Sequence, residues 1–435
     1  MRRGFALALL LGGIHFTFHL FMRLVPPLVP VLAVELGYPL WQLGSLVGVY
    51  FAGSSVGLLP MGVCSDRYDR RGLLTGALLV VSLGYLLFAS VPTVGPGVPS
   101  VSVAGQGLDG SFLLMLAAMF VSGVGTSAHV PVGVPLLTAN VAEADRGTML
   151  GIWGGSSKVG DAVAPALVGV LIISYSWDTI LFGFGVGGVV AAGLLFVVLG
   201  LDRFETSPPA TTDDTPAVDV DLLADRRRYL YPMLALVGYF AMYNVAVQGV
   251  VTFTPSFVAD VYGYTGAFGS LAVGAESFAD FVLSALLVSA AVSRFAGGVV
   301  ADRFDYRTVL VGSLTVAAGA LFVVASASLG PVALVAVLVV FGGGLWGNSP
   351  ARDSLISDLT PAEREGRTFS YLYTSSRAFG ALSPVAVGFV ADTAGFRFGF
   401  ELLAGATLLA AGFVALLYSE RVYVGDASSG AAASD

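Results

Sequence analysis

The chain has 435 residues, 56% of them hydrophobic and only 11% charged, with a net charge of −8 and one cysteine. Ordinary soluble chains carry roughly 25% charged residues; so few charges cannot cover a soluble surface, which implies a polytopic membrane protein. The single Cys64 excludes a disulfide framework and argues against a thiolate metal site, and the acidic balance gives no footing to nucleic acid as a partner.

Arg2 and Arg3 precede an apolar run over residues 5–34, too long for a cleaved leader and followed by no small-residue cleavage site. It is predicted to be an uncleaved first membrane span. Eleven more apolar stretches follow, at about 41–61, 72–92, 110–137, 148–174, 178–200, 230–258, 269–296, 308–327, 331–350, 368–390 and 397–418. Each can cross ~30 Å of hydrocarbon at ~1.5 Å per residue. The runs are continuously apolar rather than alternating, so helices are predicted and a barrel is not. Residues 1–200 form one predicted six-helix bundle and 229–420 a second. Between them, residues 201–228 (LDRFETSPPATTDDTPAVDVDLLADRRR) are polar and rich in Pro, Thr and Asp, a cytoplasmic linker, and residues 421–435 read as a disordered cytoplasmic tail.

A polar turn recurs between apolar runs. Residues 62–71, GVCSDRYDRR, return as residues 298–307, GVVADRFDYR. Gly62, Asp66, Arg67 and Arg71 correspond to Gly298, Asp302, Arg303 and Arg307. Matching turns in two hydrophobic halves indicate an internally duplicated transporter. The duplication continues: Ser157-Lys158 and Pro165 correspond to Ser376-Arg377 and Pro384 at one constant offset, and Lys158 is the sole lysine.

The arginines set the orientation. With the amino terminus inside, the inner loops hold both motif copies together with Arg146, Arg203, Arg226, Arg227, Arg228, Arg352, Arg364, Arg367 and Arg421, whereas the outer loops hold Arg397. By the positive-inside rule both termini are cytoplasmic, in a multi-pass protein of the cytoplasmic membrane.

Charged side chains at bilayer depth are costly and usually face a bundle interior or a wet cavity. Here they are His15, His19 and Arg23 in the first span, His129 in the fourth, Lys158 and Asp161 in the fifth, Glu276 and Asp280 in the eighth and Arg377 in the eleventh. Neutral Asn244 and Gln248 lie in the seventh, and Asn348 near the end of the tenth. His15, His19 and Arg23 are four residues apart and share one helical stripe, which either lines a pathway or bonds a neighbouring helix; Arg23 can alternatively snorkel. HxxxH can ligate zinc, but no carboxylate or cysteine is near it in the chain, so no metal is assigned. Lys158 and Asp161 can neutralise each other, but Arg377 has no such neighbour, and a symmetric pair of midplane cations suits an anion. Asp161, Glu276 and Asp280 are candidate proton-coupling groups, the last two also candidate counter-ions for Arg377. Trp153, Tyr239, Tyr243, Trp346, Tyr371 and Tyr373 are candidate cavity aromatics.

The repeated turn resembles the loop signature between helices 2 and 3 of the major facilitator superfamily, and the likeness covers nearly the whole chain. The resemblance implies an all-α fold of twelve transmembrane helices in two pseudo-symmetric six-helix bundles, with helices 3, 6, 9 and 12 facing lipid. That is where intramembrane charges are missing here, apart from Glu401 near the outer end of the twelfth. It also implies a latch: Asp66 docks at residues 366–369 when the protein faces outward, Asp302 by symmetry at residues 147–149, and Arg67, Arg71, Arg303 and Arg307 complete it. Two signatures depart from the family: Met119 stands at the arginine position of helix 4, and the antiporter pattern survives only as Gly160, Ala164-Pro165 and Gly169. The opening HFTFHLFMRLVPPLVPVL with SDRYDRR resembles the fosmidomycin-resistance-type branch.

The expectation is a secondary transporter, acting as a monomer without cofactor or catalytic residue, that moves a small organic anion by alternating access, with protons as a coupling ion. Its expected substrate contacts are Lys158, Arg377, His15, His19, Arg23, His129, Asn244, Gln248, Trp346 and Tyr371. The alternatives are drug efflux, neutral-solute uptake, or a haem or quinone protein using the intramembrane histidines. No GxxxxGK[ST] loop is present, which disfavours primary pumping.

Overall fold

The computed structural model describes residues 2–103, 106–201, 204–207, 230–268, 271–359 and 365–419. The tail, and the linker apart from its first residues, lie outside them. Twelve helical spans run in sequence order. Span 1 is Arg2–Met22 followed by Val25–Leu36, span 2 Leu40–Arg67, span 3 Arg70–Ala89, and span 4 Gly110–Thr126 followed by His129–Ala139. Span 5 is Arg146–Leu171, span 6 Trp177–Leu199, span 7 Tyr231–Phe257 with a π turn at Val258–Tyr262, and span 8 Ala275–Ala301. Span 9 is Tyr306–Ser326, span 10 Pro331–Trp346 followed by Ser349–Leu359, span 11 Glu365–Ala394 and span 12 Phe396–Ala415. Ten of these are long and apolar enough to cross a membrane. The other two, spans 5 and 11, have the length, 26 and 30 residues, but are too polar along their inner faces. They carry Lys158, Asp161 and Arg377.

Prolines set the breaks. A proline ring collides with the carbonyl four residues earlier and supplies no N–H to it. Pro26 and Pro27 therefore interrupt span 1 at Arg23, Pro131 interrupts span 4 at Ser127, and Pro350 interrupts span 10 just after Trp346. At the first two breaks the chain tightens to i→i−3 bonds, Arg23 N–H to Leu20 and Ser127 N–H to Val124.

Span 1 packs on span 5, span 2 on span 4, and span 3 on spans 4 and 6; spans 7–12 repeat this style of packing among themselves. The outer faces of spans 6, 9 and 12 stay apolar and exposed, through Phe182, Val190 and Leu194, Val316 and Phe322, and Leu408 and Leu409, as a lipid-facing shell requires. Two short antiparallel hairpins, Val101–Val103 with Gln106–Leu108 and Gly266–Phe268 with Leu271–Val273, decorate the loops after spans 3 and 7.

The two sets of six spans meet mainly at the end opposite the repeated motif, span 2 against span 11 and span 5 against span 8. Glycine makes the approach possible: a Cβ on Gly44 would lie 2.2 Å from the Pro384 carbonyl oxygen, and one on Gly388 2.5 Å from that of Leu40. The Asp392 carboxylate then accepts from the first two N–H groups of span 2, Leu40 and Trp41, each at 3.0 Å. A carboxylate on the free donors of a helix amino terminus is favourable. It ties the two halves together at that end.

Candidate functional site

Span 5 lies close to span 1 because Gly160 has no side chain; a Cβ there would meet the Phe16 carbonyl oxygen at 2.4 Å. That approach brings Asp161, 3% exposed, under the polar stripe of span 1. Its Oδ1 accepts from His19 Nδ1 and from Arg23 Nε, both at 3.0 Å, and its Oδ2 from Lys158 Nζ at 2.9 Å. A buried carboxylate is stable only when so surrounded. Arg23 is 8% exposed and engaged here, so it does not snorkel.

The other histidines join the cluster. The His15 ring stacks on Trp153, centroids 3.7 Å apart, and its Nδ1 meets the Trp153 carbonyl oxygen at 2.9 Å. The break in span 4 puts His129 at the start of a new helix, where Nδ1 bonds the Thr126 carbonyl and the ring stacks 5.2 Å from His15.

These groups wall a cavity of about 700 Å³ between the two sets of spans. From the second set come Asn244, which donates to Ser376, Gln248, whose Oε1 has no hydrogen-bond partner, and Arg377. Arg377 donates to Ser54 Oγ of span 2 at 3.2 Å, and among the described residues no carboxylate pairs with it. The lining continues to Leu150 and Gly151, Arg294 and Arg352, toward the motif-bearing end.

The cavity thus gathers His15, His19, Arg23, His129, Lys158, Asn244, Gln248 and Arg377. Trp346 does not line it and packs edge-on to Phe341 instead; Asn348 turns to Ser313 and Gly344. The side chains of Tyr371 and Tyr373 lie outside the described residues. Glu276 and Asp280 are not counter-ions of Arg377. Glu276 is exposed in the first turn of span 8 and shares a separate cavity of about 420 Å³ with Glu35. Asp280 is 1% exposed and faces Gly169 of span 5, and among the described residues neither carboxylate oxygen has a hydrogen-bond partner. One turn deeper, Ser284 donates to the Ala162 carbonyl at 2.6 Å, beside Asp161.

Sequence reasoning passes over Arg294, although an arginine inside a predicted span is itself a signal. It also assigns Arg352 to a loop, whereas that residue is 6% exposed, bonds Asp353 at 2.9 Å and sits over the Phe240 and Tyr243 rings.

In the repeated motif, the second aspartate of each copy caps the next helix: Asp69 accepts from Arg71 N–H at 2.9 Å, and Asp305 from Thr308 N–H at 3.1 Å. Partial burial pushes the Asp305 carboxyl up, but hydrogen bonds from Arg307 and Thr308 outweigh it and hold it below its ordinary value. Arg71 and Arg307 stay within their own halves. Arg71 bonds the Phe196 carbonyl at 2.9 Å and lies over that ring; Arg307 bonds the Leu417 carbonyl at 3.2 Å beside Tyr418. Asp66 and Asp302 are exposed, as are Arg67 and Arg303, and among the described residues none of the four has a side-chain hydrogen bond or ion pair; Gly62 and Gly298 meet no described neighbour that a Cβ would touch. The side chains of residues 366–369 lie outside the described residues.

Twelve packed spans around a charged cavity, closed at one end and reaching toward the other, define a membrane transporter. The chain belongs to the Major Facilitator Superfamily, which it matches over residues 11–275 and 272–433. It is similar to the "Hexuronate transporter" of Bacillus subtilis strain 168, at 23% identity over 86% of this chain and 85% of that one. It is also similar to the "Cis,cis-muconate transport protein" of Acinetobacter baylyi, at 22% identity over 88% and 86%. Among solved structures, a bacterial homologue of the human lysosomal transporter Spinster, inward-facing and occupied, superposes with a TM-score of 0.76 at 15% identity, covering 96% of both chains. That likeness establishes the fold.

Proposed function

We propose that this transporter moves a small organic anion across the cytoplasmic membrane, with both termini and both motif copies cytoplasmic. The observation that carries the proposal is Arg377: a guanidinium on the cavity wall, donating to one serine, with no described carboxylate to neutralise it. Such a group binds a carboxylate through two parallel bonds. Lys158 and Arg23 share the single charge of Asp161, so the opposite wall is also net positive. The hexuronate and muconate named for two relatives are carboxylates, which agrees in chemical class.

In this topology the closed end is the outer one and the structure faces inward. Residues 1–200 and 229–420 rock about the cavity, joined by residues 201–228, in a monomer. Asp280 carries the coupling proton. Its carboxyl is sealed between spans 5 and 8 while the outer end is closed, and parting those spans exposes it to outside water. Glu276 and Glu35 stand in the vestibule that water enters first, while Asp161, held by three donors, keeps the cavity wall in place.

The test is uptake into proteoliposomes from a panel of hexuronates, muconate, a neutral hexose and a cationic dye, with and without an inwardly acid-driven pH gradient. Saturable, gradient-enhanced uptake of a carboxylate is expected, inhibited by other carboxylates and not by the hexose. Transport of dye or hexose with every anion inert would overturn the proposal.

A further inference from the structure

We propose that His15, His19 and His129 form a binding site for one divalent transition-metal ion of the imidazole-preferring class, such as Zn²⁺ or Co²⁺. This site goes beyond the anion proposal and does not depend on which solute is carried.

The three rings come from two spans and offer ligand atoms that all lie within 4.8 Å of one another. Their tautomers follow from their partners. A carbonyl oxygen only accepts, so the bonds from His15 to Trp153 and from His129 to Thr126 require the proton on Nδ1 in both rings. His19 Nδ1 meets the Asp161 carboxylate, again an acceptor. In all three rings the Nε2 lone pair is left over, and among the described residues none has a hydrogen-bond partner. A histidine trio serving only to hold helices together would donate an N–H from one ring to the bare nitrogen of the next. Here every N–H is spent on a separate oxygen, so each of three neighbouring rings keeps one nitrogen lone pair. That is how metal-binding imidazoles are held, each fixed by a carbonyl or carboxylate on its other nitrogen.

Metal–nitrogen distances of ~2.0–2.1 Å in a tetrahedral site place ligand nitrogens roughly 3.3 Å apart, so side-chain rotation must draw the three rings closer than the 4.8 Å within which their ligand atoms lie. The rings line the cavity, which leaves the fourth position to a cavity ligand. Because Arg23 and Lys158 outnumber Asp161 nearby, that ligand is an anion. Sequence spacing alone offers two of the three ligands; His129 arrives through the break in span 4.

The full chain contains three histidines, so protein purified without a polyhistidine tag has little competing background. Equilibrium dialysis against Co²⁺ in chloride buffer should leave one ion per chain, with the intense visible absorption of a four-coordinate site. His15→Gln and His129→Gln should each lower the affinity at least tenfold while melting normally. On the unaltered protein, X-ray absorption at the zinc edge should show three imidazole nitrogens at about 2.0–2.1 Å. Folded wild-type protein that retains no stoichiometric ion, a zinc shell of oxygen alone, or unchanged retention in both folded variants would each overturn the proposal.

Discussion

Replacing Arg377 with lysine tests the anion site most directly, because the structure allows the perturbation to be sized. The guanidinium donates to Ser54 at 3.2 Å and has no described acidic partner, so the substitution strands no buried carboxylate. Folding should survive, and the melting temperature should move little. What is lost is one arm of a two-bond grip on the substrate carboxylate, since an ammonium is a point donor. A hydrogen bond to a charged group contributes about 1.5–3 kcal/mol. At about 1.4 kcal/mol per decade, the dissociation constant should rise roughly 10- to 150-fold. Arg377→Gln should weaken binding further, because charge goes as well as geometry. Titration calorimetry with the transported anion, on protein whose melting is measured in parallel, reads this out. A folded Arg377→Lys protein with the wild-type affinity would refute the argument and leave Arg377 as a structural tether between spans 11 and 2.

Asp280→Asn replaces a carboxyl whose oxygens have no partner, so it should leave stability unchanged or raised. It should abolish pH-driven accumulation while exchange across symmetric membranes continues; gradient-driven uptake at the wild-type rate would exclude Asp280 as the proton carrier. Asp392→Ala removes the acceptor of two N–H groups at the start of span 2, about 0.5–2 kcal/mol for such a cap, or roughly a 2- to 30-fold shift away from the inward-facing state. Asp66→Asn should act in the opposite sense, since the resemblance assigns its dock to the outward-facing state; spin-label distances at both ends, moving the same way in both variants, would contradict the pair. In a Cys64-free background, cysteines at Ser100 and Thr212 should label from outside and inside respectively, and labelling from one side would sink the proposed topology.

How much was legible in advance differs from residue to residue. That Lys158, Asp161, Arg377 and the histidines sit inside apolar runs was readable, and so was their destination, because lipid rejects them on any face but the interior. Who pairs with whom was not. Lys158 and Asp161 are three residues apart and read as a pair, but Arg23 and His19 reach the same carboxylate from 138 and 142 residues away. Glu276 and Asp280, one turn apart on one helix, read as a matched pair and separate into an exposed vestibule and a sealed interface. Arg352 reads as a loop cation and is buried beside the cavity, because span 10 resumes as a helix after its break.

By itself the sequence determined the class, the helix count and the duplication, since hydrophobic length and repeated turns are properties of a residue and its chain neighbours. Only the tertiary structure decided which end is closed, which carboxylate remains without a partner and that three imidazoles converge. Those outcomes depend on the rotation and approach of whole helices. They are set where Gly44 admits Pro384, Gly160 admits Phe16, and Pro131 swings His129 into line, so contacts far apart in the chain settle what no local pattern encodes.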